Sequence, residues 1–306
     1  MNGPNLSASP PPTKRPHLVS RVVAHQFTNG NHVLTRLSID SRRVSAVGVK
    51  GFGLAPNIYP ADPDSFEKRW KKVEDHLPEA LAAVDDRTLF GNPALVDLLK
   101  GCLAVHLARG RTVTRVHQRV VREDRSVLED TLAARPWVDE SFRRAHSGLW
   151  PAGPQTRRMH VSRLIDDALA TLNASSFTPD RMIALHDQVL PLVSRAELEV
   201  GIAQESEFLI SDTPAQSLRV GHPGVGPVGG VPWDRATTIV MPIGRRHLIG
   251  LGRKAGFHDL DRAAVDYLNR IQIVGAEQTL AWHPDANLLS FAISTLDEIG
   301  RRQMSR

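Results

Sequence analysis

Ser211 and Asp212 end an apolar run, Phe208-Leu209-Ile210, and Pro214 follows two residues later. Proline cannot donate to a central ladder, so the run reads as a buried strand stopped by a forced turn. Two chemistries are open to the pair. In one, both side chains fold back onto the next backbone amides and make an Asx or ST turn. In the other, Asp212 is a working carboxylate at the mouth of a sheet, with the Ser211 hydroxyl beside it to hold a ligand. A second apolar run, Thr237 to Leu251, lies close enough in the chain to pair with Phe208–Ile210.

The rest of the reactive inventory is thin. Cys102 is the single cysteine, which excludes an intrachain disulfide and a thiolate metal cluster. It sits in an apolar helix-like run, Leu99 to Val105, where a buried inert thiol is expected. The histidines are scattered, and none forms the i, i+4 pair of a helical zinc site. Arg111 and His117 have the spacing of an Arg-x5-His element, a cheap match in an arginine-rich chain. The glycines at 221, 224, 226, 229 and 230 do not sit between a strand and a helix, as a nucleotide cradle requires. They suggest a loop, one that could close over Asp212.

Those groups need a frame, and the chain is long enough for one. At 306 residues and a net charge of +5, it permits nucleic-acid contact without demanding it. Aromatic residues make up 5 % of the chain, too few for many base-stacking platforms. The arginine and alanine content matches a GC-rich bacterial genome. No run approaches the ~20 apolar residues of a membrane span, and no apolar signal segment opens the chain. The expectation is a cytoplasmic protein with no membrane partner.

Residues 1–14 have little to pack and are expected to form a disordered tail. A single domain is expected over 15–285, starting with a β meander at 15–60. Its strands are Val19–Val23, His32–Ile39 and Val44–Val49, separated by the Asn29-Gly30-Asn31 turn and by Asp40–Arg42. A helical region at 64–198 follows. Phe66, Trp70, Val73 and Leu77 have helical spacing up to a kink at Pro78, and Asn92-Pro93 opens a second helix. The Arg-rich run 109–125 would continue that helix, its acidic residues marking a solvated face. Residues 199–285 supply strands and a closing helix from about Asp261 to Gln278, and 286–306 form an irregular or helical tail. The fold class expected is α+β: an antiparallel sheet built from N-terminal and C-terminal segments, with a central inserted helical bundle.

The chain resembles the bacterial domain-of-unknown-function family 4238 through several boxes in order. The opening box, His-x-Val-Pro followed by Arg or Gln and a later Phe, is matched by His17, Val19, Arg21 and Phe27, with Ser20 in place of Pro. Tyr59 and Glu74 fit a loop Tyr and a helix Glu, and Arg111-Thr112 echoes an Arg-Thr-Pro step. Ser211-Asp212-Thr213-Pro214 matches Ser-Asp-x-Pro in full. Pro242-Ile243 and Leu268-Asn269 match the later boxes. The resemblance implies an architecture but no activity.

Collected together, these positions give a constellation: His17, Glu74 and Asp212 as acid-base candidates, with Arg21, Arg111 and Ser211 as substrate-binding groups. An imidazole and two carboxylates can move protons, and guanidinium groups can hold a phosphate or oxyanion. The set suits hydrolase-like or nuclease-like chemistry at a sheet–helix junction, with room for a hard divalent cation on the carboxylates. The other reading is a non-catalytic module, binding nucleic acid or protein, in which the same polar groups are structural.

Overall fold

The computed structural model describes residues 18–53, 64–110, 124–175, 179–219, 228–229 and 236–304. The chain opens with a short helix, α1 (Arg21–His25), where the sequence predicts a strand. Val19, Val23 and Phe27 are spaced by four, which suits one face of a helix and, being an even number, one face of a strand too. Ser20 decides it: its hydroxyl accepts from the Val22 amide at 3.2 Å and caps the helix. The hairpin β1 (Val33–Ser38) and β2 (Val44–Gly48) follows as expected.

The first long helix, α2 (Asp64–Asp85), runs through Pro78. In α3 (Pro93–Arg109), Asn92 is the cap, its Oδ1 accepting from the Ala94 amide at 3.1 Å. Helix α3 ends at Arg109 with Gly110 as its cap, residues 111–123 of the expected continuation lie outside the described residues, and α4 (Arg125–Ala133) follows. Next come α5 (Trp137–Ala145), α6 (Pro154–Ser175) and α7 (Pro179–Arg195). The strands are β3 (Glu197–Ala203), β4 (Ile210–Ser211), β5 (Gln216–Arg219), β6 (Val228–Gly229), β7 (Thr238–Pro242), β8 (His247–Gly252) and β9 (Gly256–Leu260). Helix α8 (Arg262–Gly275), strand β10 (Thr279–Trp282) and helix α9 (Leu289–Met304) close the chain.

The fold is α+β, with N-terminal and C-terminal segments joined in one antiparallel sheet of order β2-β1-β10-β4. A second sheet, β6-β5-β7-β8-β3-β9, is antiparallel except where β9 runs parallel to β3. One sheet was expected where there are two. The chain crosses between them at Asp212–Ala215, with β4 in the first sheet and β5 in the second. Pro214 falls within that crossing, where no ladder bond is required of it. The sequence predicts no strand after the closing helix, whereas Thr279–Trp282 is the inner strand that joins the hairpin to β4. Four residues are too few to show a period.

The main core fills the space between the second sheet and α2, α3 and α7, with Phe27, Leu77, Leu99, Leu103, Val193, Val200 and Ile249 inside it. A separate core between the first sheet, α8 and α9 holds Leu37, Leu209, Leu280, Trp282 and Ala292. Helices α4, α5 and α6 enclose a third, smaller cluster around Val138, Val161 and Ile165. No helix among the described residues is long and apolar enough to cross a membrane.

Candidate functional site

The Glu207–Gln216 stretch is hydrogen-bonded along both edges of its backbone. Its ladder bonds to β10 pair Ile210 with Ala281 and Ser211 with Leu280. On its other edge there is a helix, and α8 supplies side chains instead of a strand. Asn269 accepts from the Leu209 amide and donates to the Glu207 carbonyl, both at 2.9 Å. Gln272 Oε1 accepts from the Ser211 hydroxyl at 2.8 Å and from its amide at 3.3 Å, while Nε2 donates to the Pro214 carbonyl at 2.8 Å. Asn269 and Gln272 are spaced by three, so both amides face the same edge. An edge strand that would otherwise present bare backbone is thereby satisfied and covered.

Asp212 is neither a local turn former nor an open carboxylate. It is 4 % exposed, and its oxygens accept from the amides of Glu277, Gln278 and Thr279 at 2.9, 2.8 and 3.1 Å. Those amides leave the C-terminus of α8 and lead into β10, so the carboxylate ties the two elements together. Thr213 donates to the Gly275 carbonyl at 2.6 Å, and Gln216 Nε2 donates to Thr213. A Cβ on Gly275 would sit 2.3 Å from the end of the Gln216 side chain, so any larger residue there would push Gln216 away from Thr213.

The remaining candidates lie elsewhere. Arg21 is on α1 and Glu74 on α2, two helices that pack together; His17 and Arg111 fall outside the described residues. Glu74 is half-buried and near Cys102, whose thiol is pushed up by burial and then by the Glu74 charge. Beside them is a buried histidine that the sequence did not single out. His106 Nε2 accepts from the Ser20 amide at 3.1 Å, so Nδ1 carries the proton and donates to the Cys102 carbonyl at 2.9 Å. Its ring meets Trp70 edge-on at 4.9 Å, and Arg109 stacks on the same indole at 4.3 Å. Burial pulls the imidazole down to about 3, opposed by the Cys102 carbonyl bond and aided by the Arg109 charge. This histidine anchors α1 to α3 as a neutral group. Its only sequence signal was a place on the apolar face of α3.

Ser211 and Asp212 thus lie together at the seam between the sheets, while Arg21 and Glu74 lie on two helices that pack together, away from the seam. Next to the seam is an open cavity of about 410 Å³. Glu205, Ser206 and Glu207 form one wall, Arg262 and Asp266 of α8 another, and Asp285–Leu288 with Phe291 the third. Glu207 pairs with Arg245, which is held above its usual range by that bond. The Ser206 hydroxyl and Glu207 Oε2 are buried without a hydrogen-bond partner. Glu207 was visible at the head of the apolar run, but the other walls come from distant stretches with no common motif. No group of three or more His, Cys, Asp or Glu among the described residues is arranged to hold a metal ion.

Fold and site together define an α+β protein whose signature residues stitch two sheets to one helix. The chain belongs to the family described as protein of unknown function (DUF4238), whose pattern matches residues 15–286. The match takes in the whole seam and ends before α9. No curated protein and no solved structure matches the chain.

Proposed function

We propose that this protein is a binding module and that its ligand site is the cavity beside the seam. The observation that carries the reading is the state of Asp212: its oxygens face backbone amides, and general acid–base work requires a carboxylate that reaches substrate. Ser211 is likewise turned to Gln272. The hydrolase-like reading keeps Glu74 and Arg21 but loses its central acid.

The cavity's lining points to the ligand's charge. Glu205, Glu207, Asp266 and Asp285 line it together with Arg262, and Arg245 pairs with Glu207, which still leaves an excess of negative charge; Phe291 supplies an aromatic wall. A small organic cation, an ammonium or guanidinium on a short carbon chain, satisfies both features. A cytoplasmic setting in a bacterial cell fits the single buried cysteine and the arginine- and alanine-rich composition.

Calorimetry and thermal shift with agmatine and spermidine test this. Binding is expected for the wild type, with at least a tenfold loss in Asp266→Asn or Glu207→Gln (about 1.4 kcal/mol or more). Failure of both cations to bind, or undiminished binding by both variants, removes the cavity reading. Metal-dependent cleavage of a short RNA or DNA, abolished by Asp212→Asn beyond its effect on folding, would return the hydrolase reading.

A further inference from the structure

The helical lobe α4–α6 carries its own surface. At the corner joining α5 to α6, Leu149 and Trp150 are 67 % and 65 % exposed, and Met159 on α6 is 68 % exposed. Large apolar groups so placed do not contribute to the lobe's core, which closes around Val138, Val161 and Ile165. Their exposure asks for a partner.

Charge says which kind. From Arg135 to Met159 there are five arginines against two carboxylates, Asp139 and Glu140. Arg157 is matched by Asp139, and Arg158 by Glu129 and Asp130. Arg143 and Arg144 share the single carboxylate of Glu140, at 3.5 and 3.2 Å, so the positive excess sits on α5 next to the apolar corner. Arg143 also lies over the Trp150 ring at 4.8 Å.

We propose that this corner is a peripheral docking surface for membranes with anionic headgroups. Leu149, Trp150 and Met159 enter the boundary between headgroups and acyl chains, and Arg143 and Arg144 remain with the phosphates. A tryptophan beside a guanidinium suits that boundary, since its indole has an apolar body and a polar edge. Single-stranded nucleic acid fits less well. Stacking needs an open ring face, the Arg143 guanidinium already occupies one face of Trp150, and Leu149 and Met159 have no π surface. The absence of a spanning helix does not bear on peripheral contact. The inference is independent of the cavity reading.

Co-sedimentation of the full chain with vesicles decides the matter. The wild type is expected to pellet with phosphatidylcholine vesicles containing phosphatidylserine, to remain soluble with phosphatidylcholine alone, and to be released by salt. Leu149→Ser/Trp150→Ser, at unchanged melting temperature, is expected to lower partitioning roughly tenfold or more. Arg143→Gln/Arg144→Gln should lower it as well, and only on anionic vesicles. The proposal is overturned if the wild type stays in the supernatant at low salt, or if the apolar double variant pellets like the wild type. It is equally overturned if the corner holds a second copy, seen as a dimer that the double variant makes monomeric. Retention of a single-stranded oligonucleotide that Trp150→Ser abolishes and Leu149→Ser leaves intact would assign the corner to nucleic acid instead.

Discussion

The seam between the sheets is held by side chains bonded to backbone and sealed from water, whereas the α4–α6 lobe is laced with arginine–carboxylate pairs that are open to solvent except at Glu129. In the seam, Asp212, Asn269 and Gln272 each answer backbone groups that have no other strand to meet. In the lobe, Arg125 reaches Glu129 and Asp166 at 2.8 Å, and Arg158 reaches Glu129 and Asp130. The difference lies in what replaces a deleted partner. Water takes over in the lobe, but in the seam a buried N–H is left unmet, at about 1–3 kcal/mol for each such group. One residue type, aspartate, is therefore a structural pin in the first region and an interchangeable surface charge in the second.

Asp212→Asn is the sharpest way to break this contrast. An amide keeps one acceptor oxygen and turns an NH2 toward one of the three backbone donors. The loss of a charge-assisted acceptor and the opposition of two donors should cost about 3 kcal/mol. Urea unfolding measures it, and a loss below about 1 kcal/mol would mean that the three amides find other partners.

Acid should reveal the second buried device. Above pH 6.5, His106 is neutral in the folded and unfolded chain alike and makes no difference to stability. Below 6.5 the unfolded chain takes up the proton while the folded imidazole, pulled down to about 3, does not. Stability therefore falls as pH falls, by about 1.4 kcal/mol per unit through this window, or about 2–3 kcal/mol by pH 4.5. His106→Gln should flatten the slope. An unchanged pH profile in that variant would assign the acid sensitivity to other groups.

Gln272→Leu comes next, with an expected loss of about 2 kcal/mol, because the Ser211 amide and the Pro214 carbonyl lose their partner together. Hydrogen exchange at Ser211 is the local readout. Exchange rates matching the wild type would show that β10 alone secures this strand.

Legibility in the sequence followed the length over which a pattern ran. The hairpin, α3 with its Asn92 cap and α8 were all read from spacing and capping residues, and so was the joining of chain ends in one sheet. The opening helix was misread because spacing by four satisfies both periods. The division into two sheets was hidden because β4 and β10 are too short to declare a partner. At the candidate site, Ser211-Asp212 was read as a local turn or a working carboxylate, and the structure shows Asp212 bonded to distant backbone amides. The amides it serves belong to residues 277–279, a distance along the chain that no turn rule spans. Asn269 and Gln272 did leave a trace, as two amide side chains on a helix face that is otherwise apolar. A buried polar pair at helical spacing implies backbone that needs it.

Arg125→Gln carries the smallest expected effect and tests the other half of the comparison. Arg125 is held above its usual range, first by Asp166 and then by Glu129, and Asp166 is correspondingly held below its own. It also donates to the Ser162 hydroxyl and carbonyl, at 2.6 and 3.3 Å, so it touches two turns of α6 at once. A count of bonds would rank it with Asp212. Exposure argues the reverse: more than half of the Asp166 side chain is open to solvent, so water can replace what the guanidinium supplied there, and the buried Glu129 keeps Arg158 as a partner. The global melting temperature should drop by about 2 °C or less, and even that difference should shrink in molar salt. Exchange of amides in α4 should quicken, because that helix is the one Arg125 pins to α6. A drop as large as that of Asp212→Asn, insensitive to salt, would show that the lobe's ion pairs are as sealed as the seam and would remove the distinction between the two regions.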